Sequence, residues 1–172
     1  ALTLAAAAAA ARPGTLAEAL LAVVNELASG LGARRVALGL HRAAGIRLAA
    51  MSHAAWFDGR SALAGRLQSL MDEAFDQGAP VALPRTEGQP FCVDVAHAEH
   101  LREQPGGALC TVVLGSRAEP VGAITAEWDD PDAATRHLPA LEAAGRLLGP
   151  IVAVRLGKER WLAGRLPRAI GR

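Results

Sequence analysis

The sequence predicts an α+β fold built around an antiparallel sheet. Two observations predict it. Two stretches alternate apolar and polar residues at a period of two, and each is broken by a short polar turn, which is the pattern of a β-hairpin. Amphipathic helical stretches stand before, between and after them. Hairpins imply antiparallel pairing, which excludes a doubly wound sheet. At 172 residues the chain has the size of one domain with a real core.

The chain opens with "ALTLAAAAAAARPG". The alanines resemble a signal-peptide core, but no basic residues precede them. With no initiator Met, the sequence is expected to be a piece of something longer. Residues 1–14 are expected to form an Ala-rich linker, or a disordered or frayed helical lead-in, punctuated by Pro13-Gly14. The first firm element starts at "TLAE", where Thr15 and Glu18 have the spacing of a capping box. Leu16, Leu20, Val23, Val24, Leu27 and Leu31 then fall on one helical face, ended by Gly30 and Gly32.

The period then changes to two. Val36, Leu38 and Leu40 share one side of a strand, and after a turn at Ala43–Gly45 come Ile46, Leu48 and Ala50. "SALAGRLQSLMDEAFDQG" is an amphipathic helix capped by Ser61, with Leu63, Leu67, Leu70, Met71 and Ala74 on one face and Gly78 at its close. "APVALP" is long enough only for an edge strand. Residues 85–107 are rich in turn formers, with a short helix expected over "VAHAEHLRE". "ALCTVVLGSRAEPVGAITAEW" supplies the second hairpin around Gly115–Pro120. A last helix is expected from about Leu138, with Pro139 in its first turn and a bend at Pro150.

This order and "CTVVLGSRAEPVGAITAEW", followed by an acidic turn and a long helix, resemble the GAF domain family over residues 15–161. The resemblance implies a central antiparallel sheet of five to six strands. Terminal helices would pack on one face, and a variable helix/loop segment would cover a ligand pocket on the other. "MDEAFDQGAPVALP", "AHAEHL" and "LLGPIVAVRLGKERWL" together are similar to the cytoplasmic GAF domains that precede the membrane span in bacterial HlyD-type efflux adaptors. That implies a non-catalytic sensor or regulator of a small-molecule effector, tethered to the inner face of a membrane. The alternative is the input domain of a soluble signalling protein such as a kinase, cyclase or transcription regulator.

Charge distribution bears on partners. Residues 1–154 carry 12 basic and 16 acidic side chains, while residues 155–172 carry six basic against Glu159 alone. Nucleic-acid binders spread positive charge over a folded face, so no nucleic-acid partner is expected. Residues 162–172 read as a juxtamembrane tail, with Arg160, Arg165, Arg168 and Arg172 toward anionic headgroups. The bland reading is a solvated helix end favoured by the helix dipole, which accounts for one turn but not for six cations.

For a pocket, the resemblance points to Trp56, Phe91, Cys92, His97 and Cys110, which equally well could plug a small core. Cys92, Asp94, His97, Glu99 and His100 are the one cluster of metal-ligand types. The spacing lacks the paired motifs of a firm zinc site, so ordinary polar residues on a surface helix are expected, with no metal and no cofactor. Some GAF proteins reduce free methionine sulfoxide with clustered cysteines; Cys92 and Cys110, the two cysteines, lack that clustering, and no enzyme is expected. Their spacing is not that of a secreted disulfide framework, so a reducing cytoplasm is the expected compartment. The Asn-Lys-Phe-Asp-Glu signature of cyclic-nucleotide binders is absent, and "FCVD" departs from the Cys-His context of bilin attachment. Finally, GAF domains commonly pair through their terminal helices. Leu16, Leu20, Leu27, Leu141, Leu148 and Ile151 would serve a homodimer seam or the underside of the sheet.

Overall fold

The structure, a computed structural model, describes residues 2–103 and 105–165. The elements in chain order are α1 (Leu2–Ala11), α2 (Leu16–Leu31), β1 (Arg35–Arg42), β2 (Gly45–Met51), α3 (Ala62–Gln77), β3 (Val81–Leu83), α4 (Val95–Arg102), β4 (Ala108–Gly115), β5 (Pro120–Trp128) and α5 (Ala133–Arg165). The strands form one sheet in the order β2-β1-β5-β4-β3, and every pairing is antiparallel. The two hairpins therefore meet at β1 and β5 to make the five-stranded sheet that the sequence predicts.

Alternation along the strands divides the core into two layers. Val36, Leu38, Val112, Leu114, Ile124, Ala126 and Trp128 face α2 and α5, packing with Leu20, Leu27, Leu141 and Leu148. Ala37, Leu109 and Ala123 face the other way, against Leu67, Leu70 and Met71 of α3. Local signals fix the helix ends. Thr15 and Glu18 form the reciprocal capping box, Ser61 caps α3, and Gly32 and Gly78 take left-handed conformations at the helix ends. The edge strand β2 is covered by α3, whose Asp72 and Gln68 accept the amides of Ile46 and Leu48 at 2.7 and 3.1 Å.

Four expectations need correction. Residues 2–11 are neither a linker nor a disordered or frayed lead-in: they form a docked helix, α1, with Ala6, Ala9 and Ala10 buried against the first layer. Alanine has the highest helix propensity, and its small side chain lets α1 approach its neighbours closely. Gly30 makes the matching space, since a Cβ there would meet Leu2 at 2.3 Å. The junction to α2 is held by Arg155 of α5, which donates to the carbonyls of Ala10, Arg12, Gly14 and Thr15, while Glu159 accepts the Leu16 amide at 3.1 Å. One cation of the basic run thus has a structural task.

Second, Ala50 does not share a face with Ile46 and Leu48. A bulge shifts the β1–β2 register so that Leu38 pairs with Ala50 but Gly39 with Leu48, leaving Ala49 as the extra residue. Ala50 turns to the first layer and Ile46 to the second. Third, the last helix begins at Ala133 and continues through Pro139 and Pro150 to Arg165. The tail expected from residue 162 is therefore helical as far as it is described. Arg160 and Arg165 lie along α5; Arg168 and Arg172 lie outside the described residues. Fourth, Leu16, Leu20, Leu27, Leu141 and Leu148 are buried within the chain's own core, and Ile151 is half-buried against it. They cover the underside of the sheet, the second of the two uses expected of them, and their side chains are spent there.

Candidate functional site

On α4, "VAHAEHLR", His97 and His100 stand three residues apart and share a face. They are the helix's two buried side chains, at 0% and 2% exposure, so the expectation of polar residues on a surface helix fails for both. The helix lies over the second face of the sheet because α3 holds it there. Glu73 of α3 accepts the amides of Ala96 and His97 at 2.9 and 3.3 Å, satisfying the free donors at the start of α4. Gln77 exchanges two hydrogen bonds with the backbone of Val93, and Arg66 pairs with Glu103 at 3.4 Å. Arg66, Glu73 and Gln77 form one polar stripe along α3.

A chain of hydrogen bonds runs beneath α4. Glu73 Oε2 lies 2.5 Å from His97 Nδ1; His97 Nε2 lies 2.8 Å from Thr111 Oγ1, which lies 2.8 Å from Thr125 Oγ1. A carboxylate only accepts, so the neutral imidazole donates from Nδ1 to Glu73 and accepts the Thr111 hydroxyl at Nε2. Burial pushes the pKa of His97 below the ordinary histidine value, against the opposing pull of Glu73. Thr111 and Thr125 meet because they are register partners on β4 and β5. One pleat along, Glu127 is 2% exposed and receives Arg34 at 2.8 Å and Arg35 at 3.1 Å, with His100 Nε2 at 3.5 Å. Burial raises its carboxyl, but the His100 ring and the two guanidinium groups outweigh that and hold it at about 2. Among the described residues neither ring nitrogen of His100 makes a well-formed hydrogen bond, and Nε2 has only its contact with Glu127.

Carboxylate, imidazole and hydroxyl in that order are the parts that activate a hydroxyl nucleophile. Here Thr111 is fully buried and shares its oxygen with Thr125, so no substrate carbonyl has access. The arrangement positions α4 and provides a polar floor.

The five residues expected to line a pocket do not converge. Only His97 reaches the centre of this face. Trp56 and Phe91 are 81% and 92% exposed. Cys92 is half-buried on the segment entering α4, where Arg85 Nη2 approaches its sulfur at 2.8 Å and Arg85 Nε binds Asp94 at 2.8 Å. Cys110 is buried in the opposite layer with α2 and α5, and burial pushes its thiol pKa up. The bulky, reactive types stood out in the sequence; their direction depended on strand register. Glu73, Thr111, Thr125 and Glu127 went unnoticed, although period two puts Thr125 and Glu127 on one face with Ala123. Polar residues on a face that must be covered were the available signal.

Among the described residues no group of three or more His, Cys, Asp or Glu side chains is placed to hold a metal ion. A groove of about 950 Å³ opens elsewhere, between the α1–α2 junction and α5, lined by Pro13, Leu16, Pro150, Ile151, Val154 and Lys158. It shares no residue with the seam beneath α4.

No protein-family model and no curated protein matches the sequence. Solved structures do match the fold. The A. aeolicus nlh2 GAF domain in an inactive state superposes with a TM-score of 0.64 at 17% identity, covering 90% of this chain and 94% of that one. The GAF domain of an Acinetobacter phosphoenolpyruvate-protein phosphotransferase gives 0.60 at 14%, covering 91% and 93%. A free methionine-R-sulfoxide reductase from Neisseria meningitidis, solved with its substrate, gives 0.59 at 15%, covering 94% and 89%. At such identities the likeness concerns the fold.

Proposed function

We propose that this chain, with the fold of GAF domains, is a non-catalytic sensory or regulatory module whose effector face is the one beneath α4. A single observation carries the reading: the sheet's second face presents buried hydroxyls and a buried carboxylate, Thr111, Thr125 and Glu127, beside half-buried Glu73 of α3, beneath one short helix. An apolar plug would need none of these groups, and burying them without partners is costly. The effector that suits this floor is a small polar molecule rich in N–H donors, taking the place of the imidazoles. Thiol chemistry of the sulfoxide-reductase kind is disfavoured, since Cys110 is sealed in the other layer. Thermal-shift screening against small nitrogenous metabolites tests the reading. A binder is expected to raise Tm by mass action in the wild type and to lose its effect in Thr111→Val. If no compound in such a panel shifts Tm, the effector face is a plugged core.

The finer setting we propose is the cytoplasmic part of a membrane-anchored efflux adaptor. The density of Lys and Arg between residues 155 and 172 supports it, although Arg155 is engaged by the α1–α2 junction. No helix among the described residues is long and apolar enough to cross a membrane. The expected result is sedimentation with anionic vesicles, weakened by salt, and none with neutral ones. Equal behaviour toward both vesicle types would remove this setting. A soluble input domain is favoured by a different observation: Leu147, Val154 and Trp161 recur at seven-residue intervals on α5 and are 40%, 61% and 59% exposed. That spacing is the repeat of a paired helix seam.

A further inference from the structure

We propose that α4 is a proton-operated latch: the helix seats on the sheet through the neutral imidazole of His97, with His100 buried beside it, and lifts when His97 takes up a proton. The inference rests on the reading of this face as the effector face and names what regulates it.

The geometry makes the helix dependent on those two rings. They are its only buried side chains; Ala96 and Leu101 are half-buried against the α3 layer, so little apolar area holds α4 down. His97 is seated in a way that suits the neutral form. His97 Nε2 accepts from Thr111, and a proton on that nitrogen removes the acceptor and places a cation at a site with no solvent contact. Glu73 faces Nδ1 from α3, but its carboxylate already receives that N–H and the amides of Ala96 and His97. Asp94, at the head of α4, is paired with Arg85. From the strands, Thr111 and Thr125 offer hydroxyls only.

His100 faces Glu127 of β5, and that carboxylate is already bound by Arg35 of β1 and by Arg34 just before it. The depressed pKa of His97 agrees with this seating, because it means that the closed helix binds the proton less well than the open one. The sign follows. Above the ordinary histidine value of 6.5 the seating is fully present, and it weakens as pH falls through 6.5 toward the lower value of the closed state.

Amide hydrogen exchange of the whole chain at about pH 7.5 and about pH 5.5, corrected for intrinsic rates, tests the latch without any ligand. One proton taken up on opening raises the open population of residues 95–102 about tenfold between those conditions, while β4 and β5 keep their protection. In His97→Gln, whose neutral amide cannot titrate, that pH response is expected to shrink or vanish. Should this variant misfold, the wild-type imidazole signals of His97 followed by NMR are expected to titrate in step with the loss of α4 protection. Three results each overturn the latch: pH-independent protection of α4, simultaneous loss across the sheet, or an undiminished response in His97→Gln. A failed ligand screen would leave these exchange data unaffected, so the latch and the effector reading can fall separately.

Discussion

Glu127→Gln is expected to lower the unfolding free energy at neutral pH by about 3 kcal/mol, and the deficit should disappear in acid. Glu127 is 2% exposed and held at about 2 in the folded chain, against an ordinary value of 4.5. A carboxyl with a depressed folded pKa contributes stability that is complete above its unfolded value and is lost as pH falls toward its folded one. The contribution is therefore full above about pH 4.5 and gone near pH 2. Urea unfolding of wild type and variant across that range provides the check. Arg34 and Arg35 remain partly hydrated, at 36% and 25% side-chain exposure, so their freed charges add only modestly to the loss. A deficit that stays constant down to about pH 2 would show that Glu127 acts through packing and not through its charge.

The second large effect concerns the approach of α5 to the sheet. Gly145 and Gly149 stand one turn apart, and a Cβ at either would meet backbone: Val113 O at 2.7 Å, and Gly115 Cα at 2.2 Å. In an exposed helix, replacing glycine by a larger residue gains helix propensity, up to about 1 kcal/mol. Here the steric term wins, because backbone cannot swing aside as a flexible side chain can. Gly149→Leu is expected to cost about 3 kcal/mol in equilibrium unfolding. Gly157→Ala, on the same helix with open space around its Cβ position, should gain up to about 1 kcal/mol. Equal effects at the two sites would mean that α5 is not fixed by close contact with β4.

What could be read in advance followed from range. The capping box at Thr15 and Glu18, the αL glycines at 32 and 78, and the two hairpin turns are local, and each was visible as a short motif. The docking of the alanine lead-in was missed because ten residues of near-uniform hydrophobicity show no face until Gly30 and the clamp of Arg155 supply one. The terminal leucines were correctly placed on helical faces, but a sequence does not say whether a face meets the chain's own sheet or another copy.

The candidate site shows the same division. His97 and His100 were visible as a pair on one face of a helix, and their chemistry was plain. Their burial was not, since it depends on Glu73 reaching across from α3 and on Thr111 and Thr125 meeting in register. Cys110 and Ala50 show why: one bulge or one step of register turns a side chain to the opposite face. The sequence by itself determined which segments from Thr15 onward are helix or strand, the antiparallel pairing of hairpin neighbours, and the asymmetric charge of the C-terminal run. Only the tertiary structure decided which side chains share a layer, because that choice is made by contacts between residues 14 to 145 positions apart, where no local periodicity reaches.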